Sequence, residues 1–344
     1  MTQRSSRRRD KRSSARANAD PADRTTDVGA ETDSDAGVSA ETSRLVDLQV
    51  NGYLGVDFSS PAVTLDEIIQ ACADLIDHGV DRFCPTVITS SVETYRRNLP
   101  LIARVISLPE LNEHILGIHA EGPFISARTG AVGAHDQELV RPPSQDFFDR
   151  MQEWADGTIV ILTLAADQPG AAELCRNVAG SGVSVFLGHH EATSDDLRRL
   201  AGAGAVAITH LGNGMPNQVN RHRNPLLAGL AVDELSATII TDGHHLADEL
   251  IKVIIRAKGA ERLAVVSDAS PLAGMAPGEY HASGNRVRLE ESGLLHNPDK
   301  QCLVGSSATM VECCRYLREL GLAGDEELRR MVCDNPLRLL GGQS

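Results

Sequence analysis

The chain is poor in aromatic side chains: only 3% of its 344 residues are Phe, Trp or Tyr, and there is one Trp. It therefore offers no stacking platform for single-stranded nucleic acid. Basic residues are also few, 33 Lys and Arg against 47 Asp and Glu, which gives a formal net charge of −14. An acidic chain is a poor general binder of nucleic acid and of anionic membranes. No apolar run approaches the roughly 18 residues that a spanning helix needs. Nucleic acid and membrane are therefore set aside as partners. The seven cysteines (72, 84, 175, 302, 313, 314 and 333) are odd in number and form no CxxC. They read as buried reduced thiols of a cytoplasmic protein rather than as a disulfide framework or a thiolate metal site. The basic start is not followed by an apolar segment, so no secretory signal is expected.

Hydrophobic residues make up 42% of the chain, enough for one large α/β barrel with a tail or for two ordinary domains. Residues 1–45 are dominated by Arg, Lys, Ser, Asp and Thr. Such a segment buries too little to offset its chain entropy and is expected to be a disordered charged tail. Docking of its Arg-rich start on an anionic partner is the other reading. Residues 46–344 are expected to form the folded domain.

Eight short β-rich runs end near Val50, Ile88, His119, Leu164, Leu187, Thr209, Thr241 and Ser267, and helical patterns alternate with them. The first helix is expected from Thr64 to His78, with Thr64 and Glu67 as a capping box. The second spans Ser91 to Ser107, where Pro100 predicts a kink or a break. Further helices are expected over 144–154, 170–178, 194–202 and 246–258. Continuous apolar strands alternating with helices predict a parallel (β/α)₈ barrel. After Asp268 the pattern changes to a hairpin over 280–297 and two helices, 307–320 and 325–333.

In such a barrel chemistry gathers at the C-terminal ends of the strands. The polar residues there include Gln49, Asn51, Thr86, His119, Glu121, His189, His210, Asp242 and Asp268. A single strand-end histidine is more often a packing residue, and His119 reads that way. Glu121, His189 and His210 together supply a carboxylate and two imidazoles, a ligand set for a borderline divalent cation with open positions. Asp268, ending the eighth strand, would face that cation as a proton acceptor and donor; capping of the following turn is its plainer role. Arg221-His222-Arg223 follows the turn Gly212-Asn213-Gly214. In an acidic chain it reads as an anion clamp or as a solvated basic loop.

At these residues the sequence resembles the N-acetylglucosamine-6-phosphate deacetylase family of the amidohydrolase superfamily. The matching stretches include VDLQVNG (46–52), GIHAEGPF (117–124), GAH (133–135), LGHHEAT (187–193), THLGNGMP (209–216), RNPLLAG (223–229), TDGHH (241–245), VVSDAS (265–270), LVGSSATM (303–310) and NPLRLL (335–340). They run in family order through most of 46–340. The resemblance implies an amidohydrolase-type (β/α)₈ barrel that hydrolyses the N-acetyl group of N-acetylglucosamine 6-phosphate. The alternatives are the same chemistry on another acetamido sugar or a cyclic amide, and a non-catalytic sugar-phosphate binder.

Carried over residue by residue, the resemblance makes Glu121, His189 and His210 metal ligands, with His189 rather than His190 at the family position. Asp268 becomes the acid/base, and His135 the contact to the acetamide carbonyl. Asn213, Gly214, Arg223 and His245 become contacts to the sugar phosphate. Gln49 and Asn51 stand where many amidohydrolases have His-x-His, which implies one divalent ion, zinc before iron(II). A cytoplasmic homodimer is implied as well. The chain departs from the family pattern in three places. Most of the family's small β-sandwich is expected to be missing, Ala165-Ala166-Asp167-Gln168 replaces an Ala-Pro-Glu sequence, and Gly212 and Gly214 replace bulkier residues.

Overall fold

The computed structural model describes residues 44–282, 285–299 and 302–341. Eight strands lie side by side in chain order: β1 Leu45–Val50, β2 Val80–Ile88, β3 Ile118–Glu121, β4 Ile159–Leu164, β5 Ser184–Leu187, β6 Ala205–Ile208, β7 Ser236–Ile240 and β8 Leu263–Val266. Every adjacent pair is parallel. The sheet meets itself between β8 and β1 at the bridge Val50–Ala269, where the Asn51 N–H donates to the Ala269 carbonyl at 2.8 Å. Below this point a side chain continues the seam, since Asp47 accepts from both the N–H and the hydroxyl of Ser267. This is the expected (β/α)₈ barrel.

Val46, Leu48, Ile161, Phe186, Ile240, Val266 and Leu339 belong to one apolar cluster, with Leu337 and Leu340 packed against it. The larger core lies between strands and helices. The helices follow amphipathic periodicity. In α1, Leu65–Asp77, the buried residues are Ile68, Ala71, Cys72 and Leu75, and the Thr64–Glu67 capping box is formed. The others are α2 Val92–Ile106, α3 Gln145–Trp154, α4 Ala171–Gly180, α5 Ser194–Ala201, α6 Pro225–Ala231 and α7 Asp248–Lys258. Beyond β8 comes an antiparallel sheet, β9 Gly278–Ala282, β10 Asn285–Leu289, β11 Leu295–Asn297 and β12 Cys302–Leu303. It is followed by α8 Met310–Glu319, α9 Asp325–Arg329, a π-helical turn Arg330–Asp334 and α10 Asn335–Leu339.

Several expectations need correction. Pro100 does not split α2, which runs unbroken through it. Proline removes the bond to the carbonyl four residues back and its ring crowds that carbonyl, but the residue, Arg96, is exposed, so its carbonyl can turn to water. The third strand runs from Ile118 to Glu121, past the expected end near His119, so Glu121 belongs to the strand itself. The single hairpin expected over 280–297 is a four-stranded sheet. The helix α6 was not anticipated, although its start has a clear physical basis: Asn224 caps it by accepting from the Leu227 N–H, and Pro225 opens it. Residues 1–43 of the expected tail lie outside the described residues, and Leu45 already belongs to β1.

Candidate metal centre

The strand ends bring Glu121, His189 and His210 together in a buried cluster whose ligand atoms all lie within 4.8 Å of one another. Glu121 Oε1 is 3.1 Å from His189 Nε2 and 3.0 Å from His210 Nε2, and the two Nε2 atoms are 3.1 Å apart. Donors at about 2.0–2.1 Å in tetrahedral directions around one ion stand about 3.3 Å apart. The donor set fits a cation on chemical grounds too. His189 Nδ1 lies 2.9 Å from the carbonyl of Ala131, which can only accept, so Nδ1 carries the ring proton and Nε2 offers a lone pair. Lone pairs converging in this way on a carboxylate oxygen repel unless a cation lies among them.

The local backbone serves this convergence. His189 (φ +52°), His210 (φ +33°) and Asp268 (φ +50°) all take left-handed conformations that L-residues rarely adopt. Glycines make room on both sides of the His189 ring. A Cβ at Gly214 would stand 3.0 Å from His189 Nδ1, and one at Gly133 would stand 3.3 Å from His189 Cε1; both have φ +59°.

Gln49 and Asn51 turn their amides toward the carboxylates. Gln49 Nε2 donates to Glu121 Oε1 at 2.9 Å and to Asp268 Oδ1 at 3.0 Å, and Asn51 Nδ2 donates to Asp268 Oδ1 at 2.7 Å. Asn51 Oδ1 is buried without a partner among the described residues. Burial, then the charge of Glu121, pushes the Asp268 carboxyl up to about 6.

His135 stands beside His189, with ring centroids 4.4 Å apart, and its Nε2 is 3.9 Å from Glu121 Oε2. Its Nδ1 accepts from the Thr89 N–H at 3.4 Å and lies 3.0 Å from the Thr89 hydroxyl. The ring proton therefore sits on Nε2, facing the cluster. Burial pushes this imidazole down to about 3, so it is neutral. His119 packs instead of ligating: Nδ1 lies 2.9 Å from the Leu48 carbonyl and Nε2 lies 2.8 Å from Thr163 Oγ1. His190 lies outside the cluster and accepts from the Ala192 N–H through Nδ1.

The expected phosphate contacts lie on three segments: Asn213 and Gly214 after β6, Arg223 just before α6, and His245 after β7. His245 lies in the turn after β7, 2.7 Å from Asp242. The Asn213 N–H donates to the His210 carbonyl, and Asn213 Nδ2 is buried without a partner among the described residues. Arg221, His222 and Arg223 are exposed. Sequence reasoning missed Thr89, which backs His135, and Ser306, whose hydroxyl donates to Asp242 at 2.8 Å. Each is a long-range partner with no local pattern to mark it.

A (β/α)₈ barrel with a His₂–carboxylate cluster and a neighbouring Asp at the strand ends defines a metal-dependent hydrolase type of site. No family model matches the chain. Among curated relatives, N-acetylglucosamine-6-phosphate deacetylase of Bos taurus is 32% identical over 307 residues, covering 86% of this chain and 73% of that protein. The Caenorhabditis elegans enzyme of the same name is 33% identical over 312 residues, covering 86% and 72%. The crystal structure of the Mycobacterium smegmatis deacetylase superposes with a TM-score of 0.78 at 31% identity, covering 86% of this chain and 77% of that one. A mutant of that enzyme, solved in complex with N-acetyl-D-glucosamine-6-phosphate, has the same TM-score at 30% identity and the same coverage. The chain belongs to the N-acetylglucosamine-6-phosphate deacetylase family.

Proposed function

We propose that the chain hydrolyses the N-acetyl group of N-acetylglucosamine 6-phosphate, giving glucosamine 6-phosphate and acetate. The observation that carries this reading is the placement of Asp268 beside the Glu121–His189–His210 cluster, with Gln49 donating to both carboxylates. A divalent ion held by those three ligands would polarise the amide carbonyl and lower the pKa of a water molecule. Asp268 takes the proton of the attacking water and later gives it to the departing amine. Gln49 and Asn51 both address Oδ1 of Asp268, which leaves Oδ2 for the proton. His135, neutral and held through Nδ1 by Thr89, presents its Nε2–H to the developing oxyanion. His245 and Arg223 take the phosphate, with Asn213 and Gly214 supplying main chain beside the sugar.

The reading includes one metal ion, zinc before iron(II), because amides rather than imidazoles occupy positions 49 and 51. It also includes a homodimer in the cytoplasm. Buried cysteines at positions 72, 84, 175, 313 and 314 suit a reducing compartment. A second reading, the same hydrolysis on an unphosphorylated acetamido sugar, draws on the exposed position of Arg223. The test is acetate release by the full chain loaded with one equivalent of metal, with phosphorylated and unphosphorylated sugars compared. Turnover of the phosphorylated sugar, lost on chelation and restored by metal, is expected. No acetate release from a chain that holds its metal would overturn the proposal.

A further inference from the structure

Asp242, in the turn after β7, divides its two oxygens between separate tasks. Oδ1 accepts from the backbone N–H groups of His244 and His245, both at 2.9 Å, and so shapes the turn. Oδ2 lies 2.7 Å from His245 Nδ1 and accepts from the Ser306 hydroxyl at 2.8 Å. The Asp242 side chain is 2% exposed and that of His245 is 6% exposed. Burial pushes the Asp242 carboxyl up, but hydrogen bonds from His245 outweigh it and hold the group well below the usual carboxylate range. A carboxylate has no proton to give, so His245 Nδ1 is the donor. Its Nε2 makes no hydrogen bond among the described residues.

Ser306 ties the same assembly to the acid/base residue. Its N–H donates to the Asp268 carbonyl at 2.9 Å, and its own carbonyl accepts from the Ser270 N–H at 2.8 Å. Its hydroxyl on Asp242 thus joins the turn that carries His245 to the main chain that carries Asp268. A purely structural link between those segments would need only the Ser306 hydroxyl and the Oδ1 contacts. Oδ2 is additionally committed to an imidazole, which is the arrangement that fixes the tautomer and plane of a working histidine.

We infer that Asp242 and Ser306 are positioning residues for substrate recognition: they lock the Nδ1 proton and ring plane of His245 and present its Nε2 to the phosphoryl group. The inference rests on the proposed deacetylation, and the experiment separates the two. KM and kcat are measured for the metal-loaded full chain on N-acetylglucosamine 6-phosphate and on N-acetylglucosamine, for wild type, Asp242→Asn and Ser306→Ala. Outer partners of functional imidazoles typically act at the level of 10- to 100-fold. Asp242→Asn is therefore expected to raise KM for the phosphorylated sugar at least about tenfold. Its kcat should stay within about twofold, and KM for the unphosphorylated sugar should not move. Ser306→Ala should act in the same direction more weakly. An unchanged KM for the phosphorylated sugar, or an equal loss on both sugars, overturns the inference. If Asp242→Asn fails to fold, as judged by circular dichroism and metal content, Ser306→Ala decides by the same criterion. If the wild type deacetylates neither sugar, it is the proposed function that fails. Calorimetric Kd values for N-acetylglucosamine 6-phosphate, wild type against variants, then decide the positioning role by the same fold-changes.

Discussion

Asp47 offers a quantitative handle on the barrel seam. It is 1% exposed and accepts from the N–H of Gln49, the N–H of Ser267 and the Ser267 hydroxyl. Burial pushes its carboxyl from 3.8 up to about 7, against the lowering effect of the Ser267 contacts. Between those pH values the folded chain holds a proton that the unfolded chain has lost, so stability falls as pH rises across this window. Asp47's contribution is fully present below about pH 4 and is lost as pH passes about 7. At about 1.4 kcal/mol per unit of pH, the full span is worth about 4 kcal/mol. Other groups titrate in the same window, so the quantity to measure is the difference between wild type and Asp47→Asn, in which they cancel. Asparagine keeps the shape, and its carbonyl can still accept from the two N–H groups. Urea unfolding midpoints recorded from pH 4 to 8 should show the variant gaining on wild type as pH rises, by up to about 4 kcal/mol, with the gain concentrated below about pH 7. A difference that stays flat across that range would refute the idea that a buried, proton-holding carboxyl closes the seam.

Three further outcomes are expected. Asp268→Asn should lower kcat by about 10²- to 10⁴-fold, the usual contribution of a positioned proton carrier, while metal content measured by mass spectrometry stays near wild type; full activity in that variant would remove Asp268 from its role. His210→Ala should lose bound metal by the same measurement, because it deletes one of three converging donors, and retained stoichiometric metal would mean the ion sits elsewhere. Gly214→Ala places a Cβ 3.0 Å from His189 Nδ1 on a backbone with φ +59°, which costs about 1–2 kcal/mol for the conformation alone. It should weaken metal affinity in a chelator competition, and an unchanged affinity would show that the turn gives way without moving His189.

The barrel was legible because its strands are continuous apolar runs and its helices carry apolar stripes, two periods that do not mimic one another. The convergence of Glu121, His189 and His210 was legible for a related reason. A parallel barrel sends every strand terminus to one face, so polar residues that interrupt apolar runs must meet there. What stayed hidden depends on contacts between distant segments. Thr89 reaches His135 across 46 residues, and Ser306 reaches Asp242 across 64. No local composition marks such a partner. Pro100 misled because the rule concerns a missing N–H and a clash, while the outcome depended on whether the abandoned carbonyl could reach water. The helix α6 was overlooked because its seven residues, PLLAGLA, are too few to establish a period, although Asn224-Pro225 was a sound start signal.

The strand ends share one more device that periodicity cannot reveal. His189, His210 and Asp268 each follow a barrel strand and each adopts positive φ, where an L-residue loses about 1–2 kcal/mol relative to its usual conformations. Such strain persists only where the surroundings over-determine it. Each of the three is pinned by a main-chain bond to its own carbonyl. Ser126 N–H donates to His189 at 3.0 Å, Asn213 N–H to His210 at 2.9 Å, and Ser306 N–H to Asp268 at 2.9 Å. In the extended conformation a strand-end side chain points to one face of the sheet or the other. The left-handed turn redirects it off the strand while the next residues leave the barrel. Glycine would adopt this turn without strain but has no ligand atom to bring. Three functional side chains at left-handed positions, each with a donor fixing its carbonyl, therefore mark these strand ends as places where geometry at the barrel mouth outweighs local backbone preference.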